Sequence, residues 1–148
     1  MATTEEYEQA LLAAAEEAVS RYAPAVATFS VGRNERDSTV WGFEITPRES
    51  AAASVYCAYA GSDEVDLGFG RCHVYLWHGE PDKLADLVKS YLEPVLAGRF
   101  IEAGRMRGSA FARVTSADGK TWGAGSVHFP LLWRCRRLRR YSPCDGGR

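Results

Sequence analysis

Carboxylate, aromatic and imidazole side chains recur along one stretch of the chain, residues 63–82. Carboxylates attract cationic groups, Tyr and Trp supply large contact areas, and a His beside a carboxylate can transfer protons. The residues with this chemistry are Glu64, Asp66, His73, Tyr75, Trp77, Glu80 and Asp82. Their types favour a surface that binds a basic protein partner.

A hairpin is predicted to position these side chains, because the strand-like runs VDLGF (65–69) and CHVYLW (72–77) flank Gly70-Arg71. Gly at the first central position suits a type II′ turn, which sets the register. The pairs predicted on the core face are Phe69–Cys72, Leu67–Val74 and Val65–Leu76. The pairs predicted on the opposite face are Gly68–His73, Asp66–Tyr75 and Glu64–Trp77. That second face is either a binding surface or the seat of a helix that covers Tyr75 and Trp77.

Catalytic and cofactor motifs give no comparable signal. The chain has no GxSxG, HExxH, GxxxxGK[ST] or CxxC pattern, and no EF-hand spacing accompanies its carboxylates. Cys57, Cys72, Cys135 and Cys144 are therefore expected to be free thiols in a reducing compartment. We predict no catalytic residue, metal or cofactor, while a small enzyme that pairs His73 or His78 with carboxylates stays an alternative.

A run of arginines near the C-terminus carries a second kind of chemistry. It consists of Arg134, Arg136, Arg137, Arg139 and Arg140. With Trp133 and Tyr141 at its ends, the run suits nucleic-acid contact, in which arginines bind phosphates and aromatic rings stack on bases. The competing interpretations are the solvated face of a last helix or strand, whose exposed ion pairs contribute little, and a protein interface or oligomer contact.

Charge is divided unevenly along the 148 residues. Residues 1–133 carry 12 Lys and Arg against 18 Asp and Glu, a net charge of −6, whereas residues 134–148 carry six Arg and one Asp, a net charge of +5. The length suits one domain, so we predict a single α+β domain over 1–133 and a basic C-terminal tail over 134–148. An acidic N-terminus and the absence of a long apolar run predict a cytoplasmic protein without membrane contact.

Helix and strand signals indicate an α+β fold with a mainly antiparallel sheet, an N-terminal helix and a central helix. Thr3 and Glu6 form a capping-box pattern ahead of a helix that reaches Tyr22. The central helix begins at Pro81 and has Gly98 at its end, and Pro94 is expected to kink or break its last turn. Strand-like runs fill the remaining sequence, and the segment from Pro130 forms either a short basic helix or a strand.

Two segments, PDKLADLVKSYLEPVLAGRFIE and WRCRRLRRYSP, resemble parts of small α+β proteins of high-GC bacteria, among them immunity-type proteins of toxin systems. The resemblance implies a cytosolic inhibitor that occludes a toxin, and it carries over no active-site residue. It agrees with the prediction of a non-catalytic protein-binding domain whose oligomeric state the sequence leaves open.

Overall fold

The computed structural model describes residues 1–22, 28–104, 110–125, 137–141 and 143–144. Within these residues the chain forms two helices and nine strands, and the strands build two antiparallel sheets. The elements are α1 (Thr4–Tyr22), β1 (Thr28–Arg33), β2 (Trp41–Thr46), β3 (Val55–Tyr59), β4 (Glu64–Phe69), β5 (Cys72–Trp77), α2 (Pro81–Leu96), β6 (Phe100–Gly104), β7 (Ala110–Thr115), β8 (Thr121–Gly125) and β9 (Arg137–Arg140). The predicted α+β class is confirmed.

Helix α1 begins with the predicted capping box. The Thr3 hydroxyl accepts a hydrogen bond from the Glu6 amide at 3.3 Å, and the Glu6 carboxylate accepts one from the Thr3 amide at 2.6 Å. Two amides that the first helical turn leaves without a backbone acceptor are thereby satisfied. Tyr7 and Leu11 lie on the buried side of α1, which packs with α2 on one face of the first sheet.

The first sheet has the strand order β1-β2-β3-β4-β5, each strand antiparallel to its neighbours. Because side chains alternate along a strand, every second residue faces the helices. These core residues include Trp41, Phe43, Ile45, Val55, Cys57, Tyr59, Val65, Leu67, Phe69, Cys72 and Leu76. All six predicted pairs of the β4–β5 hairpin are confirmed, and Gly70 has the positive φ of +58° that its turn requires.

Helix α2 differs from expectation at one residue. It passes through Pro94 without a break and ends at Leu96, where Gly98 follows with φ +70°. Pro94 lacks only the amide that would bind the Ser90 carbonyl, and its ring is buried, so the loss is confined to one bond near the helix end. The predicted end at Gly98 is confirmed. Of the two outcomes expected at Pro94, the break is wrong and the kink stays a prediction.

The second sheet has the order β8-β7-β6-β9. It packs against β5, at the end of the first sheet, and against α2. Phe100 lies between Phe69 and Tyr141, with ring centroids 5.5 and 4.4 Å away, and Tyr91 contacts Trp122 at 5.9 Å. These aromatic contacts join the two sheets in one core.

Part of the arginine run forms strand β9. Arg137–Arg140 pairs antiparallel with β6, so the helix interpretation is wrong for these residues and the strand alternative is correct. Extended backbone here gains hydrogen bonds to β6, and it leads into Tyr141 and Cys144, which are both buried. The rest of the proposed helix, including Arg134 and Arg136, lies outside the described residues.

No helix in the described part of the chain is both long and apolar enough to cross a membrane.

Candidate functional site

The face of the first sheet that points away from α1 and α2 carries unusually exposed aromatic side chains. Tyr56, Tyr75 and Trp77 expose 43%, 61% and 62% of their surface. They lie on β3 and β5, at positions that alternate with core residues of the same strands. These three side chains therefore do not serve the core, and the exposure of Tyr75 and Trp77 removes the alternative that a helix covers them.

Strand pairing brings most of the predicted binding residues together on this face. Glu64 lies opposite Trp77, and Asp66 lies opposite Tyr75. We define the acidic-aromatic face by its outward side chains with binding chemistry: Glu44, Tyr56, Glu64, Asp66, His73, Tyr75 and Trp77.

Three of these side chains form a hydrogen-bonded network centred on Asp66. The Tyr56 hydroxyl donates to Asp66 Oδ2 at 3.4 Å, and His73 Nδ1 lies 3.2 Å from Asp66 Oδ1. A carboxylate only accepts, so this contact places the His73 proton on Nδ1 and leaves Nε2 directed elsewhere. The ring of His73 also contacts Tyr75 edge-on, with centroids 5.2 Å apart. The network orients Tyr56 and His73 before any partner arrives.

Tyr56 is the member of this face that the sequence analysis missed. Its ring lies against Gly68, its cross-strand partner, where a Cβ atom would collide with it. A glycine opposite an aromatic residue lets the ring lie flat on the sheet. Burial, and then the neighbouring Asp66 carboxylate, raise the pKa of Tyr56 above its ordinary value, so the hydroxyl stays a donor at neutral pH. The signal that would have found Tyr56 is the alternation of VYCAY, once β3 is paired with β4.

The charge of the acidic-aromatic face is uniformly negative. Glu44, Glu64 and Asp66 point outward from β2 and β4, and none of the outward positions on β1–β5 is Lys or Arg. Arg33, the basic residue of β1, points to the helix side and binds Glu8 at 2.7 Å. Negative charge beside exposed aromatic rings suits cationic groups, through both ion pairs and cation–π contacts.

Glu80 and Asp82 lie apart from this face. Glu80 precedes α2 and binds Lys83 at 2.9 Å, a contact that lowers the pKa of Glu80. Asp82 borders a groove of about 660 Å³ that it shares with Glu6 and Gln9 of α1, and this groove lies on the helix side of the sheet. The structure therefore brings five of the seven predicted residues together and separates these two.

A second polar cluster lies inside the molecule, where no sequence motif pointed to it. Glu102 on β6 is only 1% exposed, and its Oε2 atom accepts from the Arg71 amide at 2.7 Å and from the Tyr141 hydroxyl at 3.0 Å. It lies two residues after buried Phe100 and so on the same face of β6, which is the available sequence signal for a carboxylate on a core face. Because Glu102 is buried and its Oε2 atom holds both a turn and the C-terminal segment, we assign it a structural role.

Thiols and metal-ligating groups offer no site in the described residues. Burial raises the pKa of both Cys57 and Cys72 to about 12, which keeps these thiols protonated and poorly nucleophilic. Among the described residues, no three His, Cys, Asp or Glu side chains come together as a metal site would require. Cys135 lies outside those residues.

The described arginines of the C-terminal run form an edge of the second sheet. Arg139 and Arg140 are exposed, and the Arg139 guanidinium lies 4.9 Å from the centre of the Tyr141 ring. That contact engages Arg139 within the chain, which differs from an arginine held ready for phosphate.

Comparison with protein-family models, with curated protein sequences and with solved structures finds no match to this chain.

Proposed function

We propose that this chain is a protein-binding domain that uses the acidic-aromatic face to hold a basic segment of another protein. The observation that carries the proposal is the exposure of Tyr56, Tyr75 and Trp77 around Asp66 on one sheet face. Large aromatic residues dominate interface energetics, and carboxylates beside them raise the rate of association with a cationic partner.

The pre-oriented network strengthens this proposal. Tyr56 and His73 are both held by Asp66, so little side-chain freedom remains to be lost when a partner binds there. A Lys or Arg of the partner would lie over the rings of Tyr75 or Trp77 and near the carboxylates of Glu64 and Asp66. A finer hypothesis is an immunity-type inhibitor that covers a basic surface of a toxin. Its support is this chemistry together with the resemblance of the two sequence segments to immunity-type proteins.

Acid–base catalysis is a second candidate, favoured by the contact between Asp66 and His73. A carboxylate that holds a histidine tautomer is a common way to prepare a general base. Catalytic pairs work best where closure of the site excludes water. The His73 side chain is 47% exposed on an open sheet, which favours binding over catalysis.

The experiment is affinity capture from the native cells with three tagged chains: the unaltered chain, a Tyr75→Thr/Trp77→Thr variant and a Glu16→Lys/Asp86→Lys control. Glu16 and Asp86 are exposed on α1 and α2, away from the acidic-aromatic face. We expect one discrete protein that resists nuclease treatment and is lost only with the aromatic variant. Retention by all three chains would refute the proposed face, and a nuclease-sensitive mixture would transfer the function to the arginines.

A further inference from the structure

Strand β1 is an unprotected edge of the first sheet. It pairs with β2 on one side, and the described residues provide no strand on its other side. All but one of its six residues are exposed, including Val31 at 42%. Edge strands are a hazard that proteins reduce with Lys, Pro, bulges or charges. The sequence TFSVGR has none of these devices within its first five residues.

The other sheet shows how this chain protects an edge. The edge strand β9 has the sequence RLRR, in which three of four residues are positively charged and would repel a second copy of themselves. Strand β1 lacks this protection, because its first five residues carry no charge. The other two described edge strands, β5 and β8, are also uncharged, but they contact each other. Among the described edge strands, β1 is therefore the one that is neither charged along its length nor beside another edge strand.

The free peptide groups of β1 can be identified from the hydrogen bonds of its inner side. The Asn34 amide donates to the Val40 carbonyl at 2.8 Å, in line with the register that pairs Gly32 with Gly42. In an antiparallel pair, residues that exchange hydrogen bonds alternate with residues that do not. Counting back from Asn34, the backbone N–H and C=O groups of Arg33, Val31 and Phe29 point away from β2.

From this geometry we propose that two copies of the chain pair antiparallel through β1, about a two-fold axis at Val31. Val31 then faces its own copy, Phe29 faces the partner's Arg33, and Ser30 faces the partner's Gly32. Each outward-pointing backbone N–H and C=O group of Phe29, Val31 and Arg33 then gains a hydrogen-bond partner in the other copy. The pairing gives about six inter-chain hydrogen bonds.

Side chains are compatible with this register. Val31 packs against Val31 of the second copy, and the Phe29 ring lies beside the guanidinium of the partner's Arg33. No like charges stand opposite each other between residues 29 and 33. On the other face of the strand, Ser30 lies opposite the partner's Gly32, so only small residues meet there. A foreign strand would gain the same backbone bonds, but this self-complementary pattern favours a second copy as the occupant.

The inference does not depend on the proposed binding function. If both hold, each dimer presents two acidic-aromatic faces, since β1 and β5 lie at opposite ends of the same sheet. Two linked sites raise the apparent affinity for a partner that is itself multivalent.

The test is sedimentation equilibrium of the full chain and of Val31→Pro, Val31→Lys and Val31→Thr variants. Proline removes an amide that points away from β2, so it leaves the existing β1–β2 bonds in place. We expect a dimer for the unaltered chain and for Val31→Thr, and monomers for Val31→Pro and Val31→Lys, with far-ultraviolet circular dichroism unchanged. A monomeric unaltered chain, or dimers of both disruptive variants, would overturn the proposal.

Cysteine cross-linking tests the register itself. A Ser30→Cys/Gly32→Cys chain should form inter-chain disulfides under mild oxidation, because residue 30 lies opposite residue 32 of the other copy in a non-hydrogen-bonded pair, whose side chains come closest. A Ser30→Cys chain is the matched control, since its two copies lie diagonally at about 7–8 Å and should not link. Linking of Ser30→Cys as readily as Ser30→Cys/Gly32→Cys would contradict the register.

Discussion

The ring of Tyr56 lies flat against Gly68, its partner across the β3–β4 ladder, and its hydroxyl reaches Asp66 two residues away in β4. The glycine makes this position available, and the carboxylate holds the ring there. The position of Tyr56 on the acidic-aromatic face therefore depends both on the glycine of the neighbouring strand and on the Asp66 carboxylate.

An Asp66→Asn substitution should lower the pKa of Tyr56. The phenolate of Tyr56 is disfavoured first by burial and second by the Asp66 charge, so removal of that charge restores part of the ordinary acidity. The measurement is a pH titration of the Tyr56 ring carbon by NMR, with Tyr56→Phe used for assignment. A Glu64→Gln variant is the control, and an equal shift in both variants would show that Asp66 has no special role.

The exposed aromatic residues should contribute little to folding. Tyr75→Thr/Trp77→Thr replaces two exposed side chains by a good strand former, so the free energy of unfolding should change by less than about 1 kcal/mol. Leu67→Ala on the opposite face of β4 should cost about 2–5 kcal/mol, because Leu67 is fully buried. Urea denaturation checks both values, and a large loss in the aromatic variant would assign these rings to stability instead of binding.

Removal of the Tyr141 hydroxyl should destabilise the chain. Tyr141→Phe keeps the stacking on Phe100 but takes one donor from the buried Glu102 carboxylate, a loss worth about 1–3 kcal/mol. Urea denaturation of the single variants and of Tyr141→Phe/Glu102→Gln gives the coupling energy. A coupling near zero would mean that the contact does not hold the C-terminal segment in place.

Gly70→Ala should cost more stability than Gly119→Ala. Both glycines have positive φ, +58° and +84°, so each substitution bears a backbone cost of about 1–3 kcal/mol. Only at Gly70 would the new Cβ also approach other groups, at 2.6 Å from Glu102 Oε2 and 2.7 Å from the Tyr141 hydroxyl. The difference in urea midpoint between the two variants measures that collision, and equal midpoints would contradict it.

Stability should fall in alkaline solution. Cys57, Cys72 and Tyr141 each have a folded-state pKa of about 12, above the unfolded values of about 8.5 for Cys and about 10 for Tyr. Groups with raised pKa values stabilise the fold fully below the unfolded pKa, and this contribution is lost as the pH rises towards the folded pKa. The urea concentration at the unfolding midpoint should therefore fall above pH about 8.5, and it should fall less in a Cys57→Ala/Cys72→Ala variant. An identical pH dependence in that variant would rule out the thiols as the cause.

Local chemistry explains which features were predictable from the sequence. The β4–β5 hairpin could be predicted residue by residue, because Gly70 defines the turn and Val65, Leu67 and Phe69 define the buried side. Tyr56 could not be placed, since its position depends on β3 pairing with β4 across a loop. Glu102 depends on a still longer contact, with a turn 31 residues away. RLRR satisfies both helical and strand patterns, so only pairing with β6 separates them.

The association rate of the captured protein tests the central claim most directly. It should be measured for the unaltered chain, for Glu44→Lys/Glu64→Lys, and for Glu16→Lys/Asp86→Lys, which changes the net charge equally on the helix side. Both Glu44 and Glu64 are exposed and lie outside the Tyr56–Asp66–His73 network. We predict a rate at least about 10-fold lower for the first variant at low salt, with little change for the second. Equal rates for the two variants would contradict recognition through the acidic-aromatic face.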